Sequence, residues 1–122
     1  VGKVSGEIPY TCFATKSSYL ENNAEQAEKF LKAVKNGYQY IIDNDSATVA
    51  KALTSTFVGM SEAELQIAIE QYISIDAWSD DMIMSQQSFD KLLDIINSTQ
   101  GTSYAPEFEE LIDNSIAEKL AA

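Results

Sequence analysis

Apolar side chains recur at steps of three and four residues along most of the chain, the spacing of one face of a helix. The longest such stretch predicts a helix from about Ala24 to Ile42. Two Glu–Lys pairs stand four residues apart on it, in the order that favours ion pairs: Glu25 with Lys29 and Glu28 with Lys32. Gly37 lies inside this helix at a cost of roughly 1 kcal/mol relative to Ala, so we expect a close packing partner there.

Capping residues predict the starts of the other helices. Ser17 or Ser18 can cap a short turn that holds Tyr19 and Leu20, ahead of the long helix. The later signals are the breaking run 43–46 before a helix over about 47–56, Ser61 with Glu64 as a capping box, Ser85 before a helix that Gly101 stops, and Pro106 as the first residue of the last helix. Residues 74–84 are predicted to form a loop.

One segment has the pattern of a strand, near residues 10–15, where Tyr10–Ala14 is a short run of aromatic and branched residues. The sequence therefore predicts a mostly α-helical chain, with one strand followed by five or six helices. A strand cannot satisfy its own backbone groups, and the chain supplies no partner for it. Partner strands would come from an upstream part of a longer polypeptide or from a second copy, so we expect self-association through this edge.

Charge is distributed unevenly along the 122 residues, whose net charge is −11. Residues 61–122 carry thirteen acidic side chains against Lys91 and Lys119, and the chain has neither Arg nor His. Such a surface repels phosphates, which argues against nucleic acid or an anionic membrane as a partner. Without His, and with Cys12 as the one cysteine, nucleophilic triads and His/Cys zinc sites are impossible within the chain. We expect no metal and no cofactor.

Carboxylates offer weak signals for chemistry. The run Asp43–Ser46 starts like a calcium loop, but Ala47 and Thr48 stand where a ligand and the turn Gly belong, so helix capping is the better interpretation. The adjacent pairs at 80–81 and 109–110 point in different directions along an element and suit a solvated surface. Asn97–Thr99 matches a glycosylation pattern and is better interpreted as helix-end chemistry. An enzyme that uses carboxylates alone is therefore disfavoured.

Four residues are candidates for ligand contact: Tyr10, Thr11, Phe13 and Trp78. Trp78 is the single Trp and lies in a predicted loop beside two acidic residues. Loop aromatics are either packed in the core or anchor a ligand or a partner, and the sequence leaves both open. The same choice between core packing and ligand contact holds for the three residues of the predicted strand.

Seven segments follow one another along nearly the whole chain: residues 8–15 (Ile-Pro-Tyr-Thr-Cys-Phe-Ala-Thr), 19–23 (Tyr-Leu-Glu-Asn-Asn), 30–41, 72–78, 88–92 (Ser-Phe-Asp-Lys-Leu), 108–114 and 116–119. Their order and spacing resemble the C-terminal region of ABC-transporter substrate-binding proteins of the nitrate, sulfonate, taurine and thiamine-precursor class. Ala24 departs from this resemblance, since the family often has Pro there, and the spacing over 101–106 is irregular.

This resemblance implies an α/β fold of the periplasmic-binding-protein-like type II, in which two lobes close on a small solute and present it to a membrane permease. Residues 1–9 would be a loop trailing from an upstream part, and residues 10–122 the C-terminal part of the two-lobed protein. The resemblance implies a small anion or a heteroaromatic vitamin precursor as the solute, no enzymatic activity, and an extracytoplasmic location. No signal peptide or run of about 18 apolar residues is visible in the sequence. The alternative is an independent acidic helical interaction domain.

Overall fold

The structure is a computed structural model that describes residues 8–121. Within this range it contains six helices, here numbered in chain order: α1 (Ser17–Asp43), α2 (Ser46–Leu53), α3 (Glu62–Ser74), α4 (Gln86–Gln100), α5 (Phe108–Leu111) and α6 (Ser115–Ala121). The helices predicted from periodicity are confirmed, apart from the last one. None of the helices in the described part of the chain is long and apolar enough to cross a bilayer.

The chain divides into two compact units. The first combines the N-terminal segment up to Lys29 with the chain from Asp81 onward, and the second comprises Phe30–Asp80. α1 therefore contributes its first part to one unit and its second part to the other. The division falls within the range 10–122, which the sequence treated as a single part.

α1 is interrupted at Asn23, whose φ of −137° and ψ of 32° are not helical. The side-chain amide of Asn22 donates to the carbonyl of Ser18 at 2.7 Å, and that of Asn23 donates to the carbonyl of Tyr19 at 3.1 Å. These bonds satisfy carbonyl groups at the end of the first helical turns. The break confirms the prediction of a short turn followed by a helix from Ala24.

Glu25 and Glu28 of α1 form different ion pairs from one another. Glu25 accepts from Lys29 at 2.6 Å, as its spacing predicts. The prediction for Glu28 is wrong, because this carboxylate pairs with Lys119 of α6 within the first unit. The i,i+4 spacing rule considers only neighbours on one helix, so it cannot predict an ion pair between residues 91 positions apart. Both pairs are exposed to solvent and contribute little to stability.

The predicted strand near residues 10–15 is absent. Residues 8–16 form neither helix nor strand, and no strand occurs elsewhere in residues 8–121. Extended backbone becomes a strand only when a neighbouring segment pairs with its N–H and C=O groups, and the described residues provide no such neighbour for residues 10–15. Self-association through an unpaired strand edge loses its structural basis with this correction. Of the predicted trailing loop, Ile8 and Pro9 are irregular, and residues 1–7 lie outside the described range.

The core of the second unit lies between α2 and α3. Its buried side chains are Val49, Ala50, Leu65 and Ile69, with Ile41 and Leu53 packed against them. Asp45 caps α2 by accepting from the backbone N–H of Thr48 at 2.9 Å and from its hydroxyl at 2.8 Å. These bonds stabilise the carboxylate and lower the pKa of Asp45. The predicted capping role of the run 43–46 is confirmed.

Hydrogen bonds of side chains fix the start of α3. Ser61 and Glu64 form the predicted capping box, in which the Glu64 carboxylate accepts from the Ser61 N–H at 2.8 Å. The backbone and side-chain bonds of Ser61 lower the pKa of Glu64. Farther along α3, Glu70 accepts from the hydroxyl of Ser46 at 2.6 Å, which links α3 to the first residue of α2.

In the first unit, buried positions lie on α4 and α6. Phe89 of α4 is 4% exposed and meets the ring of Phe108 edge-to-face, with centroids 5.4 Å apart and planes at 85°. Asn97 binds the segment that follows α4 through two hydrogen bonds of 2.8 Å. Its side-chain N–H donates to the carbonyl of Tyr104, and its side-chain oxygen accepts from the Tyr104 N–H. This bond pair confirms a helix-end role for Asn97.

The single helix predicted from Pro106 onward is wrong. α5 starts at Phe108 and spans four residues, and Ile112 then adopts an extended conformation with φ −112° and ψ 125°. Asn114, in the break before α6, accepts from the N–H of Met84 at 3.1 Å and donates to its carbonyl at 2.9 Å. This two-point bond to a residue 30 positions away holds the chain out of a continuous helix.

Substituting Ala for two glycines of the chain should change its stability in opposite directions. A Cβ at Gly37 would meet nothing within 4 Å, so the predicted packing partner is wrong and we expect Gly37→Ala to stabilise the chain by about 0.5–1 kcal/mol. Gly101 has φ +65° as the C-cap of α4, and Gly101→Ala should cost about 1 kcal/mol. Urea denaturation followed by circular dichroism measures both changes. Destabilisation by Gly37→Ala would reveal a contact at that position.

Candidate functional site

Trp78 is positioned by the way in which α3 ends. The N–H of Asp76 donates to the carbonyl of Ile73, and the N–H of Ala77 donates to that of Tyr72, both at 3.1 Å. These are the two bonds of a Schellman motif, whose left-handed position is occupied here by Asp76 with φ 51° instead of by Gly. The motif reverses the chain direction and returns Trp78 to the last turn of the helix.

The returned indole of Trp78 stacks on Tyr72. The ring centroids are 5.3 Å apart, and the planes form an angle of 25°. Offset stacking of this kind adds about 0.5–1.5 kcal/mol beyond the area that it buries. Trp78 itself is half-buried, so one part of the ring packs against the unit while another part remains accessible. Trp78 is therefore packed in part, and its contact with a ligand or a partner stays a prediction.

A concavity surrounds these rings within the second unit, and we call it the Trp78 concavity. Its volume is about 110 Å³, and it is lined by Tyr38, Ile42, Tyr72, Ile73, Asp76, Ala77 and Trp78. Sites for small molecules usually enclose about 300–1,000 Å³. The Trp78 concavity is therefore smaller than the usual site for a drug-sized ligand, and it is large enough for one side chain, the edge of a ring or a very small molecule.

The electrostatic character of the Trp78 concavity follows from its lining. Asp76 supplies the one formal charge among the lining residues, and no cationic side chain lines the concavity. Anions are bound by Arg, Lys, hydroxyl groups or helix N-termini, whereas this concavity lies at the C-terminal end of α3. The lining therefore suits an apolar or aromatic group and disfavours an anion.

The other sequence-predicted candidates lie in the first unit. Tyr10 is 97% exposed and Phe13 is 67% exposed, and Thr11 is also exposed. Core packing, one of the two interpretations of these residues, is wrong for this structure because none of them is buried. They occupy the irregular segment before α1, so the structure does not group them with Trp78 in one unit.

Sequence reasoning missed a second concavity, the acidic groove of the first unit. It measures about 330 Å³ and runs between α4 and residues 104–108. Its acidic lining residues are Asp90, Asp94 and Glu107, and Lys and Arg are absent from the lining. The signal was present in the sequence, because residues 86, 90, 94 and 97 share one face of α4 at steps of three and four. Within the described residues no group of three or more His, Cys, Asp and Glu is arranged to hold a metal ion.

Comparisons with known proteins support the class indicated by the sequence. Residues 3–48 match a family model described as NMT1/THI5 like. A protein of Bacillus subtilis (strain 168) with the name "Putative binding protein YtlA" is 27% identical over 121 residues, which are 99% of this chain and 36% of that protein. These matches confirm the resemblance to substrate-binding proteins of the nitrate, sulfonate and thiamine-precursor class. The chain spans about a third of the length of this relative. No solved structure matches it.

Proposed function

We propose that the chain is the C-terminal part of the solute-binding component of a bacterial ABC importer. The observation that carries the proposal is the alignment of 99% of the chain with a relative named as a binding protein, together with the family match over residues 3–48. In this role the complete protein captures a small solute outside the cytoplasm and delivers it to a permease. It performs no catalysis.

Burial within the chain supports a larger parent protein. The long amphipathic helix α1 contains no buried residue, although apolar side chains recur along one of its faces. Helices of this kind normally gain most of their stability by covering their apolar face. In the proposed full protein, further structure covers this face. The predicted two-lobed α/β fold belongs to that full protein and is part of the proposal.

A heteroaromatic solute fits the chain better than an anion does. The chain has no Arg, whereas the exposed Tyr10 and Phe13 offer ring faces on which a heteroaromatic ligand can stack. We propose that Tyr10, Thr11 and Phe13 face the solute, and that Trp78 contacts protein instead of the solute. The remaining residues of the solute site belong to the part of the protein outside this chain.

The test is a thermal-shift screen of the complete natural polypeptide against nitrate, sulfonates, taurine and heteroaromatic thiamine precursors. A true solute present at 100 times its Kd stabilises the protein by about 2.7 kcal/mol, which gives a clear rise in Tm. The expected pattern is a rise with one heteroaromatic compound, weakened by Tyr10→Ala or Phe13→Ala. Tyr104→Ala is the matched control, since Tyr104 is also exposed. Absence of any shift across the panel would contradict the proposal.

The alternative, an independent acidic helical domain that binds other proteins, draws on the acidic groove. Three carboxylates line that groove without a cation among its lining residues, which suits a basic partner. The thermal-shift screen of the complete polypeptide distinguishes the two functions, because an interaction domain gives no rise in Tm with any of the small solutes.

A further inference from the structure

We draw no further inference here: the strongest candidate, the acidic groove between α4 and residues 104–108 of the first unit, is a cluster of exposed carboxylates, and nothing else in the described part of the chain points to the cation or the basic partner that would occupy it.

Discussion

Phe89→Ala should lower the free energy of unfolding of the chain by about 3 kcal/mol, one of the two largest effects expected for a single substitution. Phe89 is 4% exposed and is the largest buried side chain of the first unit among the described residues. Truncation removes its transfer free energy, leaves a cavity and breaks the edge-to-face contact with Phe108. Urea denaturation followed by far-ultraviolet circular dichroism measures the change.

Ile95→Ala on the same helix is the control for Phe89→Ala. Ile95 is exposed, and its truncation should cost less than about 1 kcal/mol. A cost below 1 kcal/mol for Phe89→Ala as well would mean that the first unit has no cooperative core around this ring. The double variant with Phe108→Ala measures the coupling energy of the two rings, because non-additive costs of the two truncations report their direct contact and the cavity that they share.

Features set by neighbouring residues could be predicted from the sequence. The caps at Asp45, Ser61 and Ser85 each depend on a side chain that reaches a backbone N–H three residues ahead. Gly101 ends α4 through its own left-handed backbone, which a glycine adopts without steric cost. Such signals are complete within a few residues, and therefore the starts of α2, α3 and α4 and the end of α4 follow closely from the sequence.

Features set by distant residues could not be predicted. The helix expected from Pro106 onward is divided because Asn114 bonds to the backbone of Met84, far away in the sequence. Glu28 has a lysine four residues ahead, yet its partner is Lys119. The strand expected around Tyr10–Ala14 had a suitable composition but depended on a neighbour that residues 8–121 do not provide.

The candidate site was predictable in part. Trp78 stood out as the single Trp in a predicted loop, and the structure places it in the lining of a concavity, stacked on Tyr72. The concavity itself requires Tyr38 and Ile42 of α1 to meet the end of α3, which no local pattern specifies. The turn that returns Trp78 was hidden too, because Asp76 occupies the left-handed position where a glycine would have signalled a Schellman motif.

The second large effect concerns the core between α2 and α3, where Leu65→Ala should also cost about 3 kcal/mol. Leu65 is buried against Val49, Ala50 and Ile69, and these well-packed neighbours can refill little of the space that its side chain leaves. Trp78, the single Trp of the chain, lies in the same unit, so its fluorescence during urea denaturation reports this core directly.

Ile67→Ala supplies the matched control, because Ile67 stands two residues along the same helix and is exposed. Its removal should change the free energy of unfolding by less than about 0.5 kcal/mol. Equal effects of the two truncations would mean that α3 does not bury one face against α2, and the Trp78 concavity would then lose the helix that positions its rim. A large loss confined to Leu65→Ala instead ties the geometry of the Trp78 concavity to the small core beside it, since α3 presents Leu65 and Ile69 to that core and Tyr72 and Ile73 to the concavity.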